Sequence, residues 1–204
     1  MVLILWALAI AAWVGLLAFF RSGRIWLPYY VVGAVGFAVG VVLLGRGPLP
    51  LEAAMVASTA QGAHVVTDLI GIPTRVFPSA MGAILVLVVH QPVGWTMVTV
   101  GVECSGLLEA ATIVGLTAFY PLWGARRRLW IVTMGLVATE VANIVRVTVI
   151  VATLHWGGKD ALFLAHSLVG RGLFFACVVV IYWLALTTPT LRQLTERRSA
   201  GSAA

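Results

Sequence analysis

Long apolar windows that are almost free of charge constrain this chain more than any other feature. Several such windows reach about 20 residues, the length that a helix needs to cross a hydrocarbon core of roughly 30 Å. Of the 204 residues, 61% are hydrophobic and only 10% are charged, whereas about a quarter of the residues in soluble domains are charged. The sequence therefore predicts a polytopic membrane protein.

The apolar windows predict an all-α membrane domain over residues 1–190 with about five transmembrane helices. The predicted spans are residues 2–20, 25–44, 105–122, 129–153 and 161–186. No basic region precedes the first span and no small-residue cleavage site follows it, so we expect this helix to be retained rather than removed as a signal peptide. Residues 191–204 are expected to form a disordered cytoplasmic tail.

Residues 51–72 are too polar in their middle for a span. Polar and apolar residues fall largely on opposite sides of a helix, which predicts a surface amphipathic helix. The polar side has Gln61, His64 and Asp68, and the apolar side has Met55, Val65, Val66 and Leu69. Pro73 is expected to end this helix.

Residues 81–102 are apolar, but the sequence His90-Gln-Pro-Val-Gly94 interrupts them. The two flanks are rich in β-branched residues, and the second flank alternates in a strand-like pattern from Thr96 to Val102. This pattern favours a small extracytoplasmic β-hairpin over a sixth span.

The positions of the basic residues predict the orientation. The net charge of +6 indicates membrane topology rather than nucleic-acid binding, because the arginines cluster at the ends of apolar runs and positive residues prefer the cytoplasmic side. With five spans, one side collects Arg21, Arg24, Arg126, Arg127, Arg128, Arg192, Arg197 and Arg198. The prediction is therefore a multi-pass protein of the cell membrane with its N-terminus out and its C-terminus in.

Three residues of reactive types then come to a similar depth on the outer side. Cys104 lies at the outer end of the third span, Arg146 lies roughly 10 Å inside the fourth, and His166 lies roughly 8 Å inside the fifth, at 1.5 Å of rise per residue. An arginine inside a span is costly, so a functional or paired role is its default interpretation. The other cysteine, Cys177, lies deep in an apolar segment and is expected to be a small filler.

Together these three residue types describe acyl transfer through a thioester. Cys104 is the candidate nucleophile, His166 can accept its proton and return it to a leaving amine, and Arg146 can stabilise the thiolate or an oxyanion. Candidate substrate-binding or orienting residues are Ser105, Gly106 and Asn143.

A structural interpretation stays open beside the catalytic one. Glu109, Glu140 and Arg171 lie deeper in the predicted spans, and we expect them to be structural charges that neutralise one another in pairs. No His, Cys, Asp and Glu residues have metal-ligand spacing, so neither a metal nor a cofactor is predicted.

The chain resembles the exosortase/archaeosortase family of membrane cysteine transpeptidases. The resemblance rests on Cys-Ser-Gly-Leu at 104–107, Asn-Ile-Val-Arg-Val at 143–147, and His166 followed by Gly170 and Phe174. It covers roughly residues 80–175 and implies that Cys104, Arg146 and His166 form the catalytic trio.

The resemblance also implies a substrate and a partner. Such enzymes cleave exported proteins that end in a sorting signal, which consists of a short motif, a transmembrane helix and a basic cluster, and they transfer the new carboxyl end to a cell-surface acceptor. Two alternatives remain: an intramembrane-type cysteine protease that releases its substrate by hydrolysis, and a non-enzymatic membrane assembly factor whose buried charges are structural.

Overall fold

The computed structural model is mostly helical. It describes residues 2–47, 49–78, 85–91, 94–100, 105–121, 123–158, 161 and 163–188. Its elements are α1 (Val2–Ser22), α2 (Trp26–Arg46), α3 (Leu51–Leu69), β1 (Thr74–Pro78), β2 (Leu85–Gln91), β3 (Gly94–Val100), α4 (Leu107–Phe119), α5 (Ala125–Gly157) and α6 (Arg171–Tyr182). A first π-helical segment, Leu164–Gly170, leads into α6, and a second, Trp183–Thr187, follows it.

Four of the described helical stretches are long and apolar enough to cross a membrane. They are Ile4–Ser22, Trp26–Arg46, Ala125–Gly157 and Leu168–Ala185. The predicted third span is shorter than expected: α4 has 13 residues, which at 1.5 Å per residue is about 20 Å and less than the roughly 30 Å of a hydrocarbon core. About five spans were predicted, and within the described residues the structure has four candidate spans and one shorter apolar helix.

The fourth predicted span is longer than expected and is the central helix of the bundle. Helix α5 has 33 residues, or about 50 Å at the same rise per residue, and it packs against α3, α4, α6 and the first π-helical segment. It begins with the arginine run that was predicted to precede it. Its last turns include His155 and Trp156, which lie beyond the end of the span predicted at residues 129–153.

Helices α2 and α4 form the most extensive helix–helix contact, and a glycine permits it. A Cβ atom added to Gly115 of α4 would lie 2.7 Å from the carbonyl oxygen of Ala34 in α2. Backbones approach this closely in membrane helices only where the residues between them are small. The contact holds α4 beside a spanning helix although α4 itself is short.

Helix α3 buries a different face from the one predicted. Its buried residues are Glu52, Val56, Thr59, Ala60, Ala63 and Thr67. Val65 and Leu69, predicted to face the apolar side, are exposed. The reason is that α3 packs on α5, and small side chains allow this contact: Ala60 and Ala63 belong to the core cluster with Val147 and Val151.

A three-stranded antiparallel sheet follows α3, in the order β1–β2–β3. Strand β2 pairs with β3 from Leu85 opposite Val100 to Gln91 opposite Gly94, and β1 pairs with the outer edge of β2. Strand β1 was not predicted, because its five residues are too few to show a periodic pattern. The sheet packs mainly against α3.

One end of the bundle collects aromatic rings and arginines. The ring contacts there are Trp26–Tyr29, Tyr29–Phe119, Tyr30–Tyr120 and Tyr120–Trp123. They join the start of α2, the end of α4 and the start of α5. The arginines at this end are Arg21, Arg24, Arg126, Arg127 and Arg128. Aromatic and cationic side chains in one layer are typical of a membrane–water interface.

Candidate functional site

Arg146 is buried inside the bundle. It lies on α5 with 3% of its surface exposed, and its guanidinium carbon is 5.1 Å from the ring centroid of Phe174 on α6. This distance is within the range of a cation–π interaction, which strengthens when water is excluded. The contact therefore joins α5 to the helix that continues from the segment bearing His166.

Asn143, one turn before Arg146, connects three helices. Its side chain is fully buried, and its Nδ2 donates to Thr59 Oγ1 of α3 at 3.3 Å. A Cβ atom added to Gly106 would lie 3.4 Å from the same nitrogen. Asn143 thus lies between α3 and the start of α4, which is consistent with the orienting role predicted for it.

The turn that starts α4 is held against α5. Ser105 is buried, and its Oγ accepts a hydrogen bond from the Leu107 N–H at 3.2 Å. Gly106 has a φ of +67°, a left-handed conformation that favours glycine because other L-residues are strained there. The local sequence Ser-Gly therefore fixes where α4 begins and directs the turn toward Asn143.

Within the described part of the chain, Gly106 and Asn143 lie side by side, Ser105 precedes Gly106 in sequence, and Arg146 follows Asn143 by one turn of α5. Cys104 lies outside the described residues, so its predicted role stays a prediction.

The backbone of His166 belongs to the first π-helical segment, and its side chain also lies outside the described part. Its neighbour Ala165 is fully buried in the core cluster that includes Val147 and Val151 of α5. A Cβ atom added to Gly170 would lie 2.7 Å from Ile150 Cδ1. The segment thus packs tightly on α5 within about one turn of Arg146. Single-turn π-helical segments occur frequently at functional sites.

The predicted structural charges have different surroundings. The Glu140 carboxylate accepts hydrogen bonds from Ser58 Oγ at 2.8 Å and from Thr59 Oγ1 at 3.3 Å. Glu109 is half-buried, and its carbonyl oxygen accepts from the Tyr182 hydroxyl at 3.1 Å. Arg171 is exposed. Hydroxyls of α3 thus contact Glu140, and the pairing of Glu109 and Arg171 with opposite charges stays a prediction.

Thr59 is the residue of this site that the sequence analysis missed. It is fully buried, accepts from Asn143 and donates to Glu140, so a continuous hydrogen-bonded chain runs from α3 to α5. The signal that could have found it is its spacing with Ala60, Ala63 and Thr67, which outlines a face of small residues able to approach another helix.

Over the described residues, no three His, Cys, Asp or Glu side chains cluster closely enough to hold a metal ion. Comparison of the chain with protein-family models, with curated proteins and with solved structures gives no match.

Proposed function

We propose that this chain is a membrane-embedded cysteine transpeptidase of the exosortase/archaeosortase type. The observation that carries the proposal is a buried guanidinium on α5, the helix that packs against both α4 and the first π-helical segment. Arg146 lies over Phe174, on the helix that continues from the segment of His166. Asn143, one turn earlier, lies against Gly106, two residues after Cys104 in the sequence.

The chemistry follows from these residue types. The thiolate of Cys104 attacks the carbonyl carbon of the scissile peptide bond, and a C–S bond forms as the C–N bond breaks. His166 first takes the thiol proton and then gives it to the leaving amine. A nucleophilic oxygen or nitrogen of the acceptor next attacks the thioester carbon, and its proton passes to His166. The new C–O or C–N bond forms as the C–S bond breaks, and His166 returns the proton to the departing thiolate, which restores the thiol.

Arg146 suits the remaining role, stabilisation of negative charge. Its guanidinium is always protonated, and electrostatic interactions strengthen where water is excluded. Both the thiolate and the tetrahedral oxyanion are negative, so a buried guanidinium beside them favours both states over the neutral thiol. Loss of one such stabilising group typically lowers kcat by about 10²- to 10³-fold.

The substrate in this proposal is an exported protein with a C-terminal sorting signal, and the acceptor is a molecule at the cell surface. The site faces outward in the cell membrane, with the N-terminus outside and the C-terminus inside. The aromatic and arginine-rich end of the bundle supports this orientation, because positive residues prefer the cytoplasmic side.

The test is co-expression with a tagged exported protein that ends in an apolar helix and a basic cluster. We expect Cys104→Ala and His166→Ala to abolish processing and Arg146→Gln to slow it by about 100-fold or more. The matched controls are Cys177→Ala and Arg24→Gln, which change the same residue types elsewhere and should leave processing intact. Thermal unfolding and gel filtration of each purified variant verify that it is folded.

The chemical form of the product distinguishes the proposed transpeptidase from the hydrolytic protease and the assembly factor. Mass spectrometry of the processed substrate should show its new carboxyl end joined to an acceptor, which identifies a transpeptidase. A free carboxylate in every product would identify the hydrolytic protease instead. Unchanged processing by a folded Cys104→Ala variant would reject the enzyme and leave the assembly factor.

A further inference from the structure

A cavity of about 470 Å³ lies between α5 and α6, and none of the candidate site residues lines it. Its walls include Trp130, Ile131, Met134 and Ala138 of α5, with Leu184 of the second π-helical segment opposite. These side chains are apolar, and Trp130 and Leu184 are more than half exposed. Arg127 and Arg146 are 19 residues apart on α5, which is about 28 Å along the helix.

A cation lies at one end of this groove. Arg127 lines the groove one turn before Trp130 and is also 5.2 Å from the ring centroid of Trp123. A second cavity, on the neighbouring face of α5, is lined by Arg126 and also shares Arg127 and Trp130 with the groove. The groove therefore has an apolar wall along its length and the guanidinium group of Arg127 at one end, and Arg126 lines the adjoining cavity.

The length of the groove matches one membrane leaflet. From Arg127 to Ala138 the rise along α5 is about 16 Å, and half of a roughly 30 Å hydrocarbon core is about 15 Å. A ligand with a negative group at Arg126 and Arg127 and an apolar chain of leaflet depth would complement both parts. Basic pockets beside transmembrane helices bind anionic lipid headgroups for the same electrostatic reason.

We infer that this groove is a binding site for an anionic phospholipid, with its phosphate at Arg126 and Arg127 and one acyl chain between α5 and the second π-helical segment. The proposed phosphate position lies at the arginine-rich end of the bundle. It is independent of the proposed transpeptidase activity, because the residues that line the groove do not include Arg146, Asn143 or Gly106.

The experiment measures lipid binding by native mass spectrometry of the full chain in detergent. The probes are phosphatidylglycerol and phosphatidylcholine with identical acyl chains. We expect phosphatidylglycerol to bind at least tenfold more tightly. The double variant Arg126→Gln/Arg127→Gln should weaken it on the order of 30-fold, which is about 2 kcal/mol at 1.4 kcal/mol per tenfold.

A matched control removes the same charge from the same end of the bundle. The double variant Arg21→Gln/Arg24→Gln lies outside the groove and should change the affinity for phosphatidylglycerol by no more than about twofold. Salt screens the interaction of these two arginines with a phosphate bound in the groove. An equal loss in both double variants would show a diffuse charge effect and overturn the inference. Equal affinity for the two lipids would overturn it as well.

Two further measurements test the acyl chain. Ala138→Leu fills the groove and should weaken phosphatidylglycerol binding at least tenfold. Leu184→Glu changes the opposite, exposed wall of the groove, and it replaces Ala138→Leu in the same binding measurement if that variant fails to fold. Glycerol 3-phosphate, the headgroup without a chain, should not compete at concentrations that saturate the lipid site. Full competition by glycerol 3-phosphate would identify an anion site without a lipid, and a dimer that dissociates on Ala138→Leu would identify a second copy as the occupant.

Discussion

Replacement of Thr59 by valine removes one hydroxyl from the buried chain that joins α3 to α5, while the shape of the side chain is nearly preserved. The hydroxyl accepts from Asn143 Nδ2 and donates to Glu140 Oε1, both at 3.3 Å. These distances are slightly longer than the usual range, so each bond should contribute near the low end of about 0.5–1.5 kcal/mol. Asn143, which is fully buried, then loses an acceptor, which adds about 1–3 kcal/mol.

The expected destabilisation is about 2 kcal/mol, within the sum of those two contributions. For a chain of this length it corresponds to a decrease in Tm of about 4–8 °C. The assay is thermal unfolding of the purified variant in detergent, followed by circular dichroism. Glu140 also keeps its 2.8 Å bond from Ser58, so its carboxylate should remain hydrogen-bonded in the variant.

Thr117→Val is the matched control. Thr117 of α4 is also fully buried, and within the described residues its hydroxyl has no hydrogen-bond partner. Removal of a buried hydroxyl without a partner should be neutral or stabilising, because the variant loses no hydrogen bond and no longer buries a polar group. Equal Tm values for the two variants would refute the conclusion that Thr59 connects α3 to α5.

Two further predictions concern packing. Gly115→Ala should lower Tm by several degrees, since its Cβ would meet a backbone carbonyl of α2 at 2.7 Å and overpacking costs about 1–3 kcal/mol. Gly40→Ala is the control, because open space surrounds its Cβ, and it should leave Tm unchanged. Equal decreases in Tm would contradict the close approach of α2 and α4. Phe174→Leu should destabilise the protein by about 2 kcal/mol through loss of the buried cation–π contact with Arg146. Phe175→Leu is the control: Phe175 is 70% exposed, so its replacement should have little effect in the same unfolding assay. Equal Tm decreases would show that the Arg146 contact contributes nothing.

Some residues of the candidate site stand out in the sequence for a physical reason. Arg146 stands out because an arginine within an apolar run is costly unless the fold compensates it, and the local sequence shows this. Gly106 stands out because it follows a serine at a boundary where a helix begins. Thr59 does not stand out, since a threonine in a helix is unremarkable until another helix brings Asn143 to it.

The sequence by itself determined the class of protein, the approximate positions of the membrane helices and the grouping of arginines near their ends. These features depend on local composition, because the length of an apolar run and the cost of a charge within it are set by the hydrocarbon core. The second and third strands also follow a local signal, because the flanks on either side of His90–Gly94 are rich in β-branched residues.

Only the tertiary structure decided which face of α3 is buried, how short α4 is, and which residues surround Asn143 and Arg146. Val65 and Ala63 are equally acceptable in an amphipathic pattern, yet α5 selects the face with Ala63, because small side chains let two backbones approach. Phe174 and Phe175 are identical in type and adjacent in sequence, and the position of Arg146 alone distinguishes them. Such choices depend on contacts between helices that are distant in the chain, which local composition does not encode.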